Sequence, residues 1–111
     1  MRIDERHHGA VLVLSPHGPL LEGEVSGFCE AVRAGRDSAR GRVVLDLTDM
    51  HFVDSAGLEA LLDLSEEFDG AALSLKLASA NETVREVLDL TGLAGDFEMF
   101  GDAHDAARSF L

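Results

Sequence analysis

Val43-Val44-Leu45-Asp46-Leu47 constrains the fold more than any other stretch of the chain. It is nearly all apolar and does not alternate, which suits a strand covered on both faces, as in a parallel sheet. After a short polar interval the period changes. Leu58, Leu61, Leu62, Ser65 and Phe68 line one face of a helix predicted over Ala56–Phe68, with Glu59, Asp63, Glu66 and Glu67 mostly elsewhere. Gly70 ends this helix, and Leu73–Ala78 then alternates as a strand with one buried face. A strand, a helix and a second strand in this order fit two parallel strands joined by a crossover.

The rest of the chain repeats that grammar. Ala10–Leu14 reads as a strand, Ser15–Pro19 as a turn with two prolines, and Leu20-Leu21-Glu22 as a short strand. Val25, Phe28, Ala31, Val32 and Ala39 predict a helix over Glu24–Ala39, weakened by Gly27 and Gly35. Ser79-Ala80-Asn81-Glu82 has the form of a capping box for a helix through Val84, Val87, Leu88 and Leu90, which stops at Thr91-Gly92. Phe97–Phe100 reads as a short edge strand, and Asp102 as the cap of a last helix over Ala103–Leu111. The expectation is one α/β domain over residues 1–111, with a mostly parallel mixed sheet and about four helices.

Charge narrows the function. The formal net charge is -12, from 21 acidic against 9 basic residues. Nucleic acid and anionic membrane surfaces are poor partners for such a chain, whereas a basic protein face suits it. No apolar run approaches the roughly 20 residues that span a bilayer, and Ala10–Leu14 is too short for a signal-peptide core. We therefore expect a cytoplasmic protein without membrane insertion. The lone Cys29 cannot form an internal disulfide and reads as a small core residue. His7, His8, His17, His51 and His104 are scattered, so no metal site is expected. Neither phosphate-loop motif occurs, and no cofactor is expected. Ser55 lacks the G-x-S-x-G elbow, since residue 53 is Val, and nothing would orient His51 as its base. No catalytic residue is assigned.

Asp54 and Ser55 fall at the junction between the apolar strand and the periodic helix. A helix start offers unpaired N–H groups and a partial positive charge. A serine there has two readings. It can cap the helix, which is worth about 1 kcal/mol, or it can gain and lose a phosphate carrying about -1.5 to -2 charges. Gly57 in the first turn costs helix stability and makes sense if another backbone, or a large group on Ser55, approaches closely.

These residues also carry a resemblance. Val43 to Leu62, VVLDLTDMHFVDSAGLEALL, resembles the signature of the STAS domain in bacterial anti-sigma factor antagonists, an apolar strand followed by Asp-Ser-x-Gly-Leu. Val84 to Leu93, a helix ending in Thr-Gly-Leu, is similar to the family's second marker. The resemblance implies a partner switch. An unphosphorylated antagonist binds an anti-sigma factor with serine kinase activity and frees a sigma factor; phosphorylation of the serine aligned with Ser55 abolishes binding; a metal-dependent serine phosphatase restores it. Ser55 is then the phosphorylation site, Asp54, Ser55, Ala56, Gly57, Leu58 and Glu59 contact the partner, and the free protein is a monomer. The chain departs from the pattern at Gly18-Pro19-Leu20-Leu21, where the family has Gly-Glu-Leu-Asp. It departs again at Ala56, where a second hydroxyl is common. The resemblance also admits a constitutive module, the STAS subunit of a lipid-transport ABC ATPase complex or a stress-signalling scaffold, with Ser55 only a helix cap.

Overall fold

Arg2–His8 (β1), which has no apolar periodicity, forms an edge strand that the sequence did not lead us to expect. It pairs antiparallel with Val11–His17 (β2) through a turn at Gly9. In the computed structural model, which describes residues 1–111, the remaining strands are Val43–Asp46 (β3), Lys76–Ala78 (β4) and Glu98–Phe100 (β5). The sheet order follows the chain from β1 to β5, and β2 to β5 are mutually parallel. The helices are Glu22–Ser38 (α1), Ser55–Gly70 (α2), Glu82–Leu90 (α3) and Ala103–Arg108 (α4), with a short 3-10 turn at Ala94–Asp96.

Strand order explains the layering. Neighbouring parallel strands joined by right-handed crossovers place every crossover helix on the same face. Phe28 and Val32 of α1, Leu61, Leu64 and Phe68 of α2, and Val84 and Leu88 of α3 accordingly share one core with Leu12, Leu14, Leu45 and Leu77. The opposite face is left to α4, whose Ala103, Ala106 and Ala107 pack on Val11, Val13, Val44 and Ala78. β3 is buried along its whole length, as its unbroken apolarity predicts.

Several local expectations give way to packing. Leu20-Leu21-Glu22 is not a strand: Leu20 makes a single parallel bridge to Val53, and α1 begins at Glu22. Ser79 does not cap α3. It takes a positive φ of 58° and donates to the Gly101 carbonyl, while Asn81 Oδ1 accepts from the Val84 N–H at 2.8 Å. The capping box is therefore absent, and the cap sits two residues later. The end of α3 matches expectation. Gly92 has φ +75°, and the Leu93 N–H returns to the Leu88 carbonyl at 2.9 Å, the bonds of a Schellman motif. The last helix stops at Arg108 rather than Leu111.

Polar side chains tie β1 down. His17 lies 2.8 Å from Asp4 and 3.2 Å from Asp49. Arg6 donates to Ser15 and to buried Asp46. Burial alone would raise the Asp46 carboxyl, but the Thr48 hydroxyl and amide, helped by the Arg6 guanidinium, outweigh it and hold the group below the usual carboxylate range.

Candidate functional site

After β3 the chain passes buried Leu47, Met50 and Val53 and reaches α2. This loop is laced to the segment that enters α1. Gly18 donates to the Asp49 carbonyl at 3.0 Å, Leu20 to the Phe52 carbonyl at 2.9 Å, and Asp54 to the Leu20 carbonyl at 3.2 Å. The lacing brings the starts of α1 and α2 side by side.

Asp54 then serves both helices. Its backbone is extended, and Oδ1 accepts from the Gly57 N–H at 2.8 Å, closing the first turn of α2. Oδ2 accepts from the Glu22 N–H at 2.9 Å. Glu22 is the first residue of α1, whose own cap position, Leu21, has no side chain that could do this. One carboxylate thus meets two helix N-termini, where a negative charge is favoured.

Gly57 answers the same constraint. A Cβ at this position would collide with the Leu20 carbonyl oxygen and lie 3.0 Å from Leu20 Cγ. The close backbone approach expected from the sequence is present, and it is the strap before α1 that makes it.

The cap falls on Asp54, so the reading of Ser55 as the cap is corrected: Ser55 is already the first helical residue and takes no part in the cap bond. It is exposed, and its side chain makes none of the chain's hydrogen bonds. His51 is also exposed and is not bonded to Ser55; its carbonyl accepts from Asn81 Nδ2 at 3.2 Å.

The six candidate residues divide by exposure. Ser55 and Glu59 are open to solvent, Asp54, Ala56 and Leu58 are half-buried, and Gly57 is buried beneath the strap. Gly57 therefore shapes the surface from beneath, and Asp54, with both oxygens engaged, holds it together. Residues that sequence reasoning missed complete the surface. Phe52 is 45% exposed and Leu21 39%, and both flank the start of α2. Glu22 and Glu24 add acid in the first turn of α1. The one sequence signal for Phe52 was an aromatic residue in a loop otherwise rich in polar groups.

A groove of about 350 Å³ runs from this surface between α1 and α2, lined by Val25, Ser26, Cys29, Ala56, Glu59 and Asp63 among others. Burial, with help from Glu67 and Asp63, pushes the Cys29 thiol up against the opposing pull of Arg33. Cys29 is therefore a protonated packing residue at neutral pH rather than a reactive thiolate. The rim is fastened by Arg33, which pairs with Glu67 at 2.7 Å.

Comparison with known proteins agrees with this geometry. The STAS domain family matches residues 2–106. BtrV of Bordetella bronchiseptica, a proposed anti-sigma factor antagonist, is 31% identical over 74 residues, 67% of this chain and 64% of BtrV. A human sulfate anion transporter is 31% identical over 75 residues, 60% of this chain and 11% of the transporter. The chain thus spans less than two thirds of either relative. Among solved structures, a Thermotoga maritima protein proposed as an anti-sigma factor antagonist superposes with a TM-score of 0.87 at 21% identity, covering 96% of this chain and 92% of that one. The phosphorylated form of the Bacillus cell fate determinant SpoIIAA superposes with a TM-score of 0.72 at 18% identity, covering 99% and 100%. With the strand, the Asp-Ser-x-Gly-Leu helix start and the five-stranded mixed sheet all in place, the chain belongs to the STAS domain family.

Proposed function

We propose that this protein is an anti-sigma factor antagonist switched at Ser55. In the unphosphorylated state it docks the surface around the start of α2 onto an anti-sigma factor with serine kinase activity, which releases a sigma factor. Phosphorylation of Ser55 ends the complex, and a serine phosphatase restores it. The protein is the substrate of this cycle and not one of its enzymes. The observation that carries the reading is the division of labour between adjacent residues: Asp54 performs the capping, and Ser55 is left exposed with an unengaged hydroxyl.

The energetics suit a switch. A phosphate on Ser55 breaks no native hydrogen bond, and the first-turn N–H groups favour it while the Asp54 carboxylate opposes it. Folding therefore changes little. A partner seated on Phe52, Leu21 and Ala56 would instead have to desolvate or neutralise about two negative charges. Ser55→Ala should fold normally and bind the anti-sigma kinase permanently, and Ser55→Asp should bind it at least tenfold more weakly. Equal binding by wild type and both variants would sink the proposal. No helix is long and apolar enough to cross a membrane, and docking from solution in the cytoplasm completes the proposal.

A further inference from the structure

A second cavity lies at the other end of the sheet, where β2 begins and the chain turns into β3. It holds about 280 Å³ and is lined by His8, Val11, Arg42, Ala107, Arg108 and Phe110 among others. This is close to the lower end of the usual range for small-molecule sites, roughly 300 Å³. It touches neither the start of α2 nor the groove beside it, so nothing in the switch uses it.

Its charge is out of character for the molecule. Acids outnumber bases 21 to 9 in this chain, and Arg2, Arg6, Arg33, Arg36 and Lys76 are each paired with a carboxylate. Arg40, Arg42, Arg85 and Arg108 form no such pair; of these, Arg42 and Arg108 line this cavity together, and no Asp or Glu lines it. Arg42 Nε is fully buried and has no hydrogen-bond partner, the one such side-chain atom in the structure. A buried donor without an acceptor is costly. Of the remaining walls, His8 is polar and Val11, Ala107 and Phe110 are apolar.

We infer that this cavity is a binding site for a small amphiphilic anion, with its carboxylate or phosphate-ester head group on Arg42 and Arg108 and a short apolar tail against Val11, Ala107 and Phe110. The two head groups share the chemistry the site offers: planar guanidinium N–H donors that meet paired oxygens. The head group meets the guanidinium N–H groups that reach the cavity, and the tail covers the apolar wall.

The experiment is a titration of 15N-labelled protein by two-dimensional NMR with octanoate and octyl phosphate, with octan-1-ol and acetate as controls. Octanoate or octyl phosphate should give saturable shifts of the Val11 and Ala107 amides and of the Arg42 Nε–H, and the tighter of the two assigns the head group. Octan-1-ol, which lacks the charge, and acetate, which lacks the tail, should each bind at least tenfold more weakly. Arg42→Gln and Arg108→Gln should each weaken octanoate or octyl phosphate at least fivefold with a well-dispersed spectrum. Arg108 is exposed, so its variant remains informative if Arg42→Gln fails to fold. Equal binding of octan-1-ol would overturn the inference in favour of a plain apolar crevice. Absence of saturable shifts would overturn it in favour of a crevice that holds only solvent.

Discussion

The starts of α2 and α3 use the same device to different ends. Each is capped by a side-chain oxygen 2.8 Å from the N–H three residues on, Asp54 to Gly57 and Asn81 to Val84. Each cap residue also reaches a neighbouring segment, Asp54 to the Glu22 N–H and Asn81 to the His51 carbonyl. The difference lies in the residues after the cap. In α3 an acid, Glu82, takes the first helical position. In α2 that position holds a neutral hydroxyl, and two residues later a glycine lets the strap before α1 press onto the helix. The comparison teaches that α3 is simply capped, whereas α2 is locked from both sides while one free hydroxyl, that of Ser55, stays outside the lock.

Gly57→Ala should break the comparison most severely. Its Cβ must displace the Leu20 backbone, an overpacking that typically costs about 1–3 kcal/mol, with Tm falling about 4–8 °C for each kcal/mol in a domain of this size. A Tm within 2 °C of wild type would mean that the strap is not fixed. Asp54→Ala comes next. It loses two bonds to a charged acceptor and should cost about 2 kcal/mol, against about 1 kcal/mol for Asn81→Ala. Equal losses in denaturant melts would remove the distinction between the two helix starts.

A smaller effect checks that the lock is independent of the charge at the end of β3. Asp46→Asn should cost about 1 kcal/mol at neutral pH through its bonds to Thr48 and Arg6. The folded-state carboxyl is held below its usual range, so its contribution is complete above the unfolded value of about 3.9 and is lost as pH falls through the lower folded value. The stability gap between wild type and variant should therefore narrow between pH 5 and pH 2. Asp54→Ala should still be less stable than its parent in the Asp46→Asn background. Ser55→Ala should move stability least, within about 0.5 kcal/mol, because Ser55 gives nothing to the cap.

The features legible in the sequence are those written as periodicity. β3, its following helix, and the alternation of strands with helices were readable because burial on one or both faces leaves a period in the residues. The demand for a close approach at Gly57 was readable because glycine early in a helix needs a reason. The features that were not readable depend on partners remote in the chain. β1 has only Ile3 half-buried, so its pairing with β2 left no hydrophobic trace. The start of α1 was misplaced because its first N–H is satisfied by a carboxylate 32 residues away. The capping box at Ser79 failed because Gly101 claims its hydroxyl and the positive φ there moves the helix start to Asn81. The exposure of Phe52 and Leu21 was hidden because it is decided by the whole fold.

The central claim is that Ser55 is a phosphate acceptor held outside the structural lock. The most direct measurement is intact-mass analysis of the protein purified from its native cells during growth and under stress, with the modified residue mapped. The account predicts a single phosphoryl group on Ser55 whose occupancy changes between conditions. Unmodified protein in every condition, or a phosphate confined to another residue, would contradict it.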